Sequence, residues 1–279
     1  WASEGTRSRT GKFVWPKMGI LKYIKEGEKY SGREVKYIPV SIVYDLIPDV
    51  KDMTMEAMGK VKSKESLTWF LDYIRKMGEG FGKISLRLGE PVSEKDDKAA
   101  QLHQLRRLEN GQPKTISHFA MELVHQINQI TPVTTASLVC VILLSKYTLP
   151  KKAIESYVAV LMQLIESYRP DALVDRGRPT GESVLTALSL LKKAQLIRQH
   201  GTGLETKYVI SSHNYLQATY YSNMAVHHLY HQAFIELALM KIAQNESENS
   251  PLVFWEQVMK LRNLFKFEFF FRNSSKALV

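Results

Sequence analysis

The first twelve residues carry the run best suited to chemistry, Glu4-Gly5-Thr6-Arg7-Ser8-Arg9-Thr10-Gly11-Lys12. Arg7 and Arg9 are two residues apart, so an extended turn places both guanidinium groups on one side, where their planar forks can grip a phosphate. Gly5 and Gly11 let the backbone approach an anion closely. The glycine spacing is not that of a Walker loop. On spacing alone, a frayed basic terminus without a ligand is the alternative interpretation.

The elements that must position this run form an α/β unit. Residues 36–44 are β-branched or apolar at nearly every position, which is typical of a strand covered on both faces in a mostly parallel sheet. Pro39 lacks an amide donor and should lie at a strand start, an edge or a bulge. A helix is predicted over Lys64–Met77 and an alternating strand over Lys83–Leu88. Strand, helix and strand in this order predict a βαβ crossover.

The residue pattern in the second half of the chain is typical of helices. A polar, charged stretch from about Ser93 to Lys114 is typical of a linker. An apolar stripe follows, formed by Ile116, Phe119, Leu123, Val124, Ile127 and Ile130. Further helices are predicted near residues 135–146, 150–167, 180–195, 215–243 and 251–267.

Composition limits the possible partners and compartment. The net charge is +10, which favours anionic partners such as phosphorylated metabolites, lipid headgroups or nucleic acid. The single cysteine, Cys140, lies in an apolar run and is expected to be a buried hydrophobic residue, which fits a reducing compartment. No run approaches the roughly 18 apolar residues of a membrane span, so any membrane contact should be peripheral.

Further runs along the chain have specific residue patterns. They are Pro16-Lys17-Met18-Gly19-Ile20-Leu21, Ile38-Pro39-Val40-Ser41-Ile42-Val43-Tyr44, Lys62–Leu67, Gly89-Glu90-Pro91, Thr219–His227 and Leu264–Phe271. With the opening run, they resemble almost end to end the bacterial membrane-associated glycerol-3-phosphate 1-O-acyltransferases, relatives of the peroxisomal dihydroxyacetone-phosphate acyltransferases. Glu4–Lys12 is similar to the third motif of that family and Ile38–Tyr44 to the fourth. The resemblance is greatest to the actinobacterial type.

The resemblance implies transfer of a fatty acyl group from acyl-CoA or acyl carrier protein to the sn-1 hydroxyl of glycerol 3-phosphate. It implies no cofactor beyond that acyl donor. The substrate-binding residues that it implies are Glu4, Gly5, Thr6, Arg7, Ser8, Arg9, Lys12 and Pro39. Arg7 and Arg9 would bind the phosphate, Glu4 and Gly5 would shape the glycerol site, and Pro39 would belong to the motif associated with the acyl donor.

Fold and location follow as expectations from the same resemblance. Residues 1–95 are expected to form the C-terminal half of an α/β acyltransferase domain with a mostly parallel sheet. A linker over 96–114 would lead to a mainly α-helical domain over 115–279, which contains a small winged-helix-like hairpin. The expected partner surface is an anionic membrane at the cytoplasmic face, bound peripherally, and nucleic acid is not an expected partner.

The acid/base pair of the family is absent from the sequence. In that pair, a His-x-x-x-x-Asp motif, histidine deprotonates the attacking hydroxyl and aspartate orients the ring. None of the 8 histidines has an aspartate five residues further on; Glu205 after His200 and Glu236 after His231 come nearest. We therefore expect the pair upstream of Trp1, and we expect this chain alone to be inactive.

Two histidine clusters have metal-like spacing. His118, Glu122 and His125 share one helical face, and His227, His228 and His231 include an i, i+4 pair. A zinc site needs three or four converging ligands. The first set lies opposite the apolar stripe and the second coincides with a family motif, so we expect a solvated face and helix packing, and no metal.

Two non-enzymatic interpretations stay open. Residues 182–210 contain a helix and a β-hairpin, the outline of a winged helix that can bind DNA, although the helix carries only Lys192 and Lys193 as basic residues. Alternatively, the chain is a membrane-docking module without catalysis, since residues 1–40 hold nine basic and four acidic side chains.

Overall fold

The structure is a computed structural model. It describes residues 3–6, 8–60, 81–93, 116–244, 251–269 and 271. The helix predicted over Lys64–Met77 and the linker predicted over 96–114 lie outside the described residues.

The described elements alternate only at the start of the chain and are mainly helical afterwards. In chain order they are α1 Gly19–Ser31, β1 Val40–Tyr44, α2 Val50–Ala57, β2 Ile84–Leu88, α3 Ile116–Ile130, α4 Thr135–Lys146, β3 Thr148–Pro150, α5 Lys151–Tyr168, α6 Thr180–Lys193, β4 Ile197–His200, β5 Lys207–Ile210, α7 Tyr215–Val226, α8 Tyr230–Ala243 and α9 Pro251–Leu264.

The first sheet corrects the predicted strand arrangement. β1 and β2 are antiparallel neighbours, with Val40 opposite Leu88 and Tyr44 opposite Ile84, so the expectation of a mostly parallel sheet with a βαβ crossover is wrong for these strands. β1 does begin directly after Pro39, as expected. Its side chains alternate between buried and exposed, so β1 is not covered on both faces. Apolar residues occupy its exposed face too, and this is why the pattern indicated two-sided burial.

The second sheet contains the hairpin that the sequence predicts. β4 and β5 pair antiparallel directly after α6, and β3 joins the other side of β5, giving the order β3-β5-β4. This small sheet closes one end of the bundle formed by α4, α5 and α6.

The central helix α4 organises the core. Its side chains from Thr135 to Cys140 are all buried, so it is apolar around its whole circumference and is packed on every side. The Thr134 hydroxyl accepts a hydrogen bond from the Ser137 amide at 3.1 Å and caps its start. Cys140 is buried and free, and burial raises its thiol pKa to about 12.

One hydrophobic core contains residues from both the α/β unit and the helical part. Leu46, Val50 and Met53 belong to the same buried cluster as α4 and α7. The amide of Ile47 donates a 2.8 Å hydrogen bond to the hydroxyl of Tyr221, which is a buried residue of α7. The segment after β1 is therefore packed directly against the helical part of the chain.

Candidate substrate pocket

The opening run Glu4–Lys12, called the motif loop below, lies against helix α7. Gly11 has a φ of 76°, and a Cβ at this position would lie 2.1 Å from the backbone oxygen of Tyr220. Asn223 of the same helix donates from Nδ2 to the Thr10 carbonyl at 2.8 Å. Lys12 forms an ion pair with Glu268 from the segment after α9. The motif loop is thus anchored by residues more than two hundred positions away.

Internal hydrogen bonds give the motif loop its shape. The Ser8 hydroxyl donates to the Lys12 carbonyl at 2.6 Å. A Glu4 carboxylate oxygen accepts from the Val14 amide at 2.5 Å and so closes the base of the loop. Burial raises the pKa of Glu4, and the Val14 hydrogen bond partly opposes that shift. Glu4 therefore acts as a structural acceptor that fixes where the loop leaves and rejoins the fold.

A cavity of about 520 Å³ opens beside the motif loop. Part of its lining is formed by Glu4, Ser8, Gly11 and Lys12 of the motif loop, by the next residue, Phe13, and by Ser41, Ile42 and Val43 of β1. Most of the remaining lining comes from the helical part and is rich in polar and aromatic side chains, among them Asn128, Gln129, Tyr168, Arg169, Tyr230 and four histidines. Its volume suits a small-molecule site.

The structure brings some of the predicted site residues together at this cavity. Glu4, Ser8 and Lys12 line it, whereas Gly5, Thr6, Arg9 and Pro39 do not. Arg9 is exposed, and its Nε lies 3.1 Å from a carboxylate oxygen of Glu56. Arg7 lies outside the described residues.

Pro39 lies at the start of β1. It is buried, and its carbonyl accepts from the Gly89 amide at 2.8 Å. A Cβ on Gly89 would meet the Pro39 ring at 3.2 Å, so the two residues pack closely. The geometry gives Pro39 a role in pairing the ends of β1 and β2.

His227 and His228 join the α7–α8 corner to the end of α3. Their Nε2 atoms lie 3.2 Å from the Asn128 carbonyl and 3.0 Å from the Thr131 carbonyl, so each neutral ring donates from Nε2. Burial, the adjacent His228 and Arg169 all lower the pKa of His227 well below its ordinary value. Burial, opposed by the Thr131 hydrogen bond, lowers the pKa of His228 to about 4.

The depressed His228 pKa predicts acid-sensitive folding. The unfolded chain takes up a proton near pH 6.5 but the folded protein only near pH 4, so stability falls as pH drops through this window. We expect about 3 kcal/mol of unfolding free energy to be lost between these limits. Urea unfolding at a series of pH values measures it. His228→Asn should flatten the slope in this window and exposed His200→Asn should not; an unchanged slope in His228→Asn contradicts the assignment.

Arg169 is the cavity residue that the sequence did not indicate. It follows the last residue of α5, is half-buried, and donates from Nη1 to the Gln129 carbonyl at 2.8 Å. No local signal marks it, because its importance comes from lining the same cavity as the motif loop.

Metal ligation and membrane crossing find no support in the described part of the chain. No group of three or more His, Cys, Asp or Glu side chains converges there as a metal site. None of the described helices is both long and apolar enough to cross a membrane. Glu122 of the first metal-like cluster accepts from Gln126 instead, at 2.8 Å.

Comparison with known proteins decides the family. The family model described as the glycerol-3-phosphate acyltransferase C-terminal region matches residues 53–279. This chain belongs to that family. The acyltransferase plsB1 of Mycobacterium tuberculosis, and its counterpart in Mycobacterium bovis, are 33% identical to it over 278 residues, which cover 97% of this chain and 44% of the relative. Mouse dihydroxyacetone phosphate acyltransferase is 34% identical over 133 residues, or 44% of this chain and 19% of the relative.

The family membership confirms the resemblance found in the sequence. The chain spans less than half the length of the mycobacterial relatives that it matches. In this family context, the cavity between the motif loop and the helical wall is the candidate substrate pocket.

Proposed function

We propose that this chain forms the phosphate-holding part of an enzyme that acylates the sn-1 hydroxyl of glycerol 3-phosphate from acyl-CoA or acyl carrier protein, the first step of phospholipid synthesis. The observation that carries the proposal is the motif loop, which resembles a phosphate-binding signature and lines a cavity of about 520 Å³. The names of the mycobacterial and mouse relatives, both acyltransferases, support it.

In this proposal the motif loop positions and neutralises the substrate. Ser8 and Lys12 lie at the cavity wall, and Arg7 and Arg9 would supply guanidinium donors for the phosphate, Arg9 from outside the cavity lining once it leaves Glu56. The Arg9–Glu56 pair is exposed, so its strength in water is small and a phosphate can replace it. Fixing the phosphate in this way turns the reaction of hydroxyl with thioester into an effectively intramolecular one. Proton removal from that hydroxyl is left to the His-x-x-x-x-Asp pair, which we place upstream of Trp1.

The exposed face of the first sheet supports an incomplete α/β domain. Ile84, Leu86 and Leu88 of β2 are each at least 60% exposed, and Val40 and Ile42 lie beside them on β1. Soluble proteins rarely leave such a contiguous apolar face open to water. We take residues 1–95 to be the C-terminal half of the acyltransferase domain and residues 115–279 to be the helical domain, joined through 96–114.

The location that fits this role is the cytoplasmic face of the cell membrane, with peripheral attachment. The net charge of +10 supports contact with anionic lipid headgroups. Attachment to the membrane surface would keep the enzyme close to its acylated product.

The proposal is tested by comparing this chain with a longer protein that includes the preceding acyltransferase region. With acyl-CoA and glycerol 3-phosphate, the longer protein should form 1-acyl-glycerol 3-phosphate and the 279-residue chain alone should not. Transfer should disappear when the histidine of the His-x-x-x-x-Asp motif is changed to alanine. A longer protein without transfer, or an isolated chain with full turnover, would contradict the proposal.

A further inference from the structure

Arg169 places a positive charge in the pocket wall without a nearby carboxylate. In the part of the chain that the structure describes, no ion pair includes it, and its Nη1 bonds to a neutral carbonyl, that of Gln129, at 2.8 Å. The two acidic side chains that line the same cavity have other partners: Glu4 accepts from the Val14 amide and Glu268 pairs with Lys12. A half-buried guanidinium in the cavity lining keeps donors that an anion in the cavity can reach.

Histidine side chains lie close to this arginine. The charge of Arg169 contributes to the lowered pKa of His227, His228 and His231, and burial is the largest cause in each case. His125 lowers the pKa of His231 further. His125 and His231 line the same cavity as Arg169. These three side chains, Arg169, His125 and His231, form what we call the basic wall.

The basic wall and the motif loop face one cavity from different parts of the chain. The loop contributes Ser8 and Lys12 from the N-terminal run. The basic wall consists of His125 from α3, Arg169 directly after α5, and His231 from α8. Phosphate oxygens accept several strong hydrogen bonds at once, and guanidinium forks are the preferred donors for them.

We propose that Arg169, assisted by His231 and His125, binds a phosphate oxyanion of a substrate, so that the helical domain supplies part of the substrate site. This inference rests on the proposed function and extends it to residues outside the motif loop. The oxyanion has two sources, the phosphate of glycerol 3-phosphate or the phosphates of a CoA-type acyl donor. Their shared chemistry is a multiply charged phosphate ester.

Arg169 also donates a hydrogen bond to the Gln129 carbonyl near the end of α3, so its substitution can change the stability of the fold. The experiment must therefore separate an effect on anion binding from an effect on stability. Isothermal titration measures binding of inorganic phosphate, glycerol 3-phosphate and free CoA to the folded chain. Arg169→Gln removes the charge and keeps hydrogen-bonding capacity. Arg198→Gln is the matched control, since Arg198 is exposed on β4 beside His213 and does not line the cavity.

We expect Arg169→Gln to weaken binding of inorganic phosphate by about 10- to 100-fold, as loss of a charge-assisted contact implies, and Arg198→Gln to leave it unchanged. Among the two esters, the one whose affinity falls with Arg169→Gln identifies the source of the oxyanion. Unchanged affinity for all three anions in Arg169→Gln overturns the inference, as does absence of phosphate binding to the wild-type chain.

A second measurement uses the wild-type protein, so it remains informative if Arg169→Gln folds poorly. Imidazole NMR titration follows the pKa of His231 with and without saturating phosphate. A bound anion beside the ring should raise this pKa in the wild-type protein, and the control Arg198→Gln, at a residue that does not line the cavity, should keep that response. A purely structural Arg169 predicts no response of His231 to phosphate in the wild type, and that result also overturns the inference.

The two proposals fail in different ways. A longer protein that acylates glycerol 3-phosphate, together with an Arg169→Gln chain whose anion affinities are unchanged, refutes the basic wall alone. Phosphate binding through Arg169 in a longer protein without acyl transfer refutes the proposed function alone.

Discussion

Gly11→Ala is expected to detach the motif loop from helix α7 and to lower the affinity for glycerol 3-phosphate by about 100-fold or more. The φ of 76° already disfavours any residue with a Cβ, at a cost of about 1–2 kcal/mol. The added methyl group would also lie 2.1 Å from the Tyr220 carbonyl oxygen, a backbone atom inside a buried helix that cannot give way. The loop must therefore move, and Ser8 and Lys12 move with it.

The matched control for this change is Gly177→Ala. Gly177 has a nearly identical φ of 78°, but a Cβ there meets nothing within 4 Å. It should show only the conformational strain, with unchanged substrate affinity. Urea unfolding and titration with glycerol 3-phosphate on both variants separate the two effects. Equal behaviour of the two variants in binding would show that the contact between Gly11 and Tyr220 does not position the loop.

Helix positions could be predicted from the sequence because local patterns determine them. The apolar run after Thr134 has a good N-cap and few competing turn signals, and the predicted helix over 135–146 coincides with α4. The long helix predicted over 215–243 is two helices in the structure, with α7 ending at Val226 and α8 beginning at Tyr230. No glycine or proline marks that corner; the carbonyl contacts of His227 and His228 to Asn128 and Thr131 hold it instead.

Strand direction could not be predicted from the sequence. In β1, the apolar residues on the face that is open in the structure give the same residue pattern as a strand buried on both sides. The connection between the two strands is long enough for either a parallel or an antiparallel return. The pairing of Val40 with Leu88 joins residues far apart in the sequence, and no local pattern predicts it.

The candidate site was predictable on one side only. The motif loop is contiguous, so residue types and spacing reveal it, and Glu4, Ser8 and Lys12 do line the cavity. The basic wall gathers His125 from α3, Arg169 directly after α5 and His231 from α8. A constellation of this kind exists only in the folded chain, because each member alone is an ordinary polar residue in or next to a helix.

Arg7→Ala in the longer enzyme is expected to raise the KM for glycerol 3-phosphate by about 10- to 1,000-fold, with a smaller effect on kcat. Loss of a bidentate guanidinium–phosphate contact of about 2–4 kcal/mol accounts for this range. Ser8, the next residue in the sequence, lines the cavity and donates a hydrogen bond to the Lys12 carbonyl. Arg7→Lys should restore only part of the affinity, because a lysine provides charge without the planar fork.

The most direct test of the account is therefore the dependence of acyl-transfer rate on glycerol 3-phosphate concentration in wild-type, Arg7→Ala and Arg198→Ala enzymes. Arg198 is an exposed arginine on β4 and serves as the control for loss of one positive charge. We expect the KM for glycerol 3-phosphate to rise at least about tenfold in Arg7→Ala and to stay unchanged in Arg198→Ala. An unchanged KM in Arg7→Ala would remove the motif loop from the phosphate site and contradict the central claim.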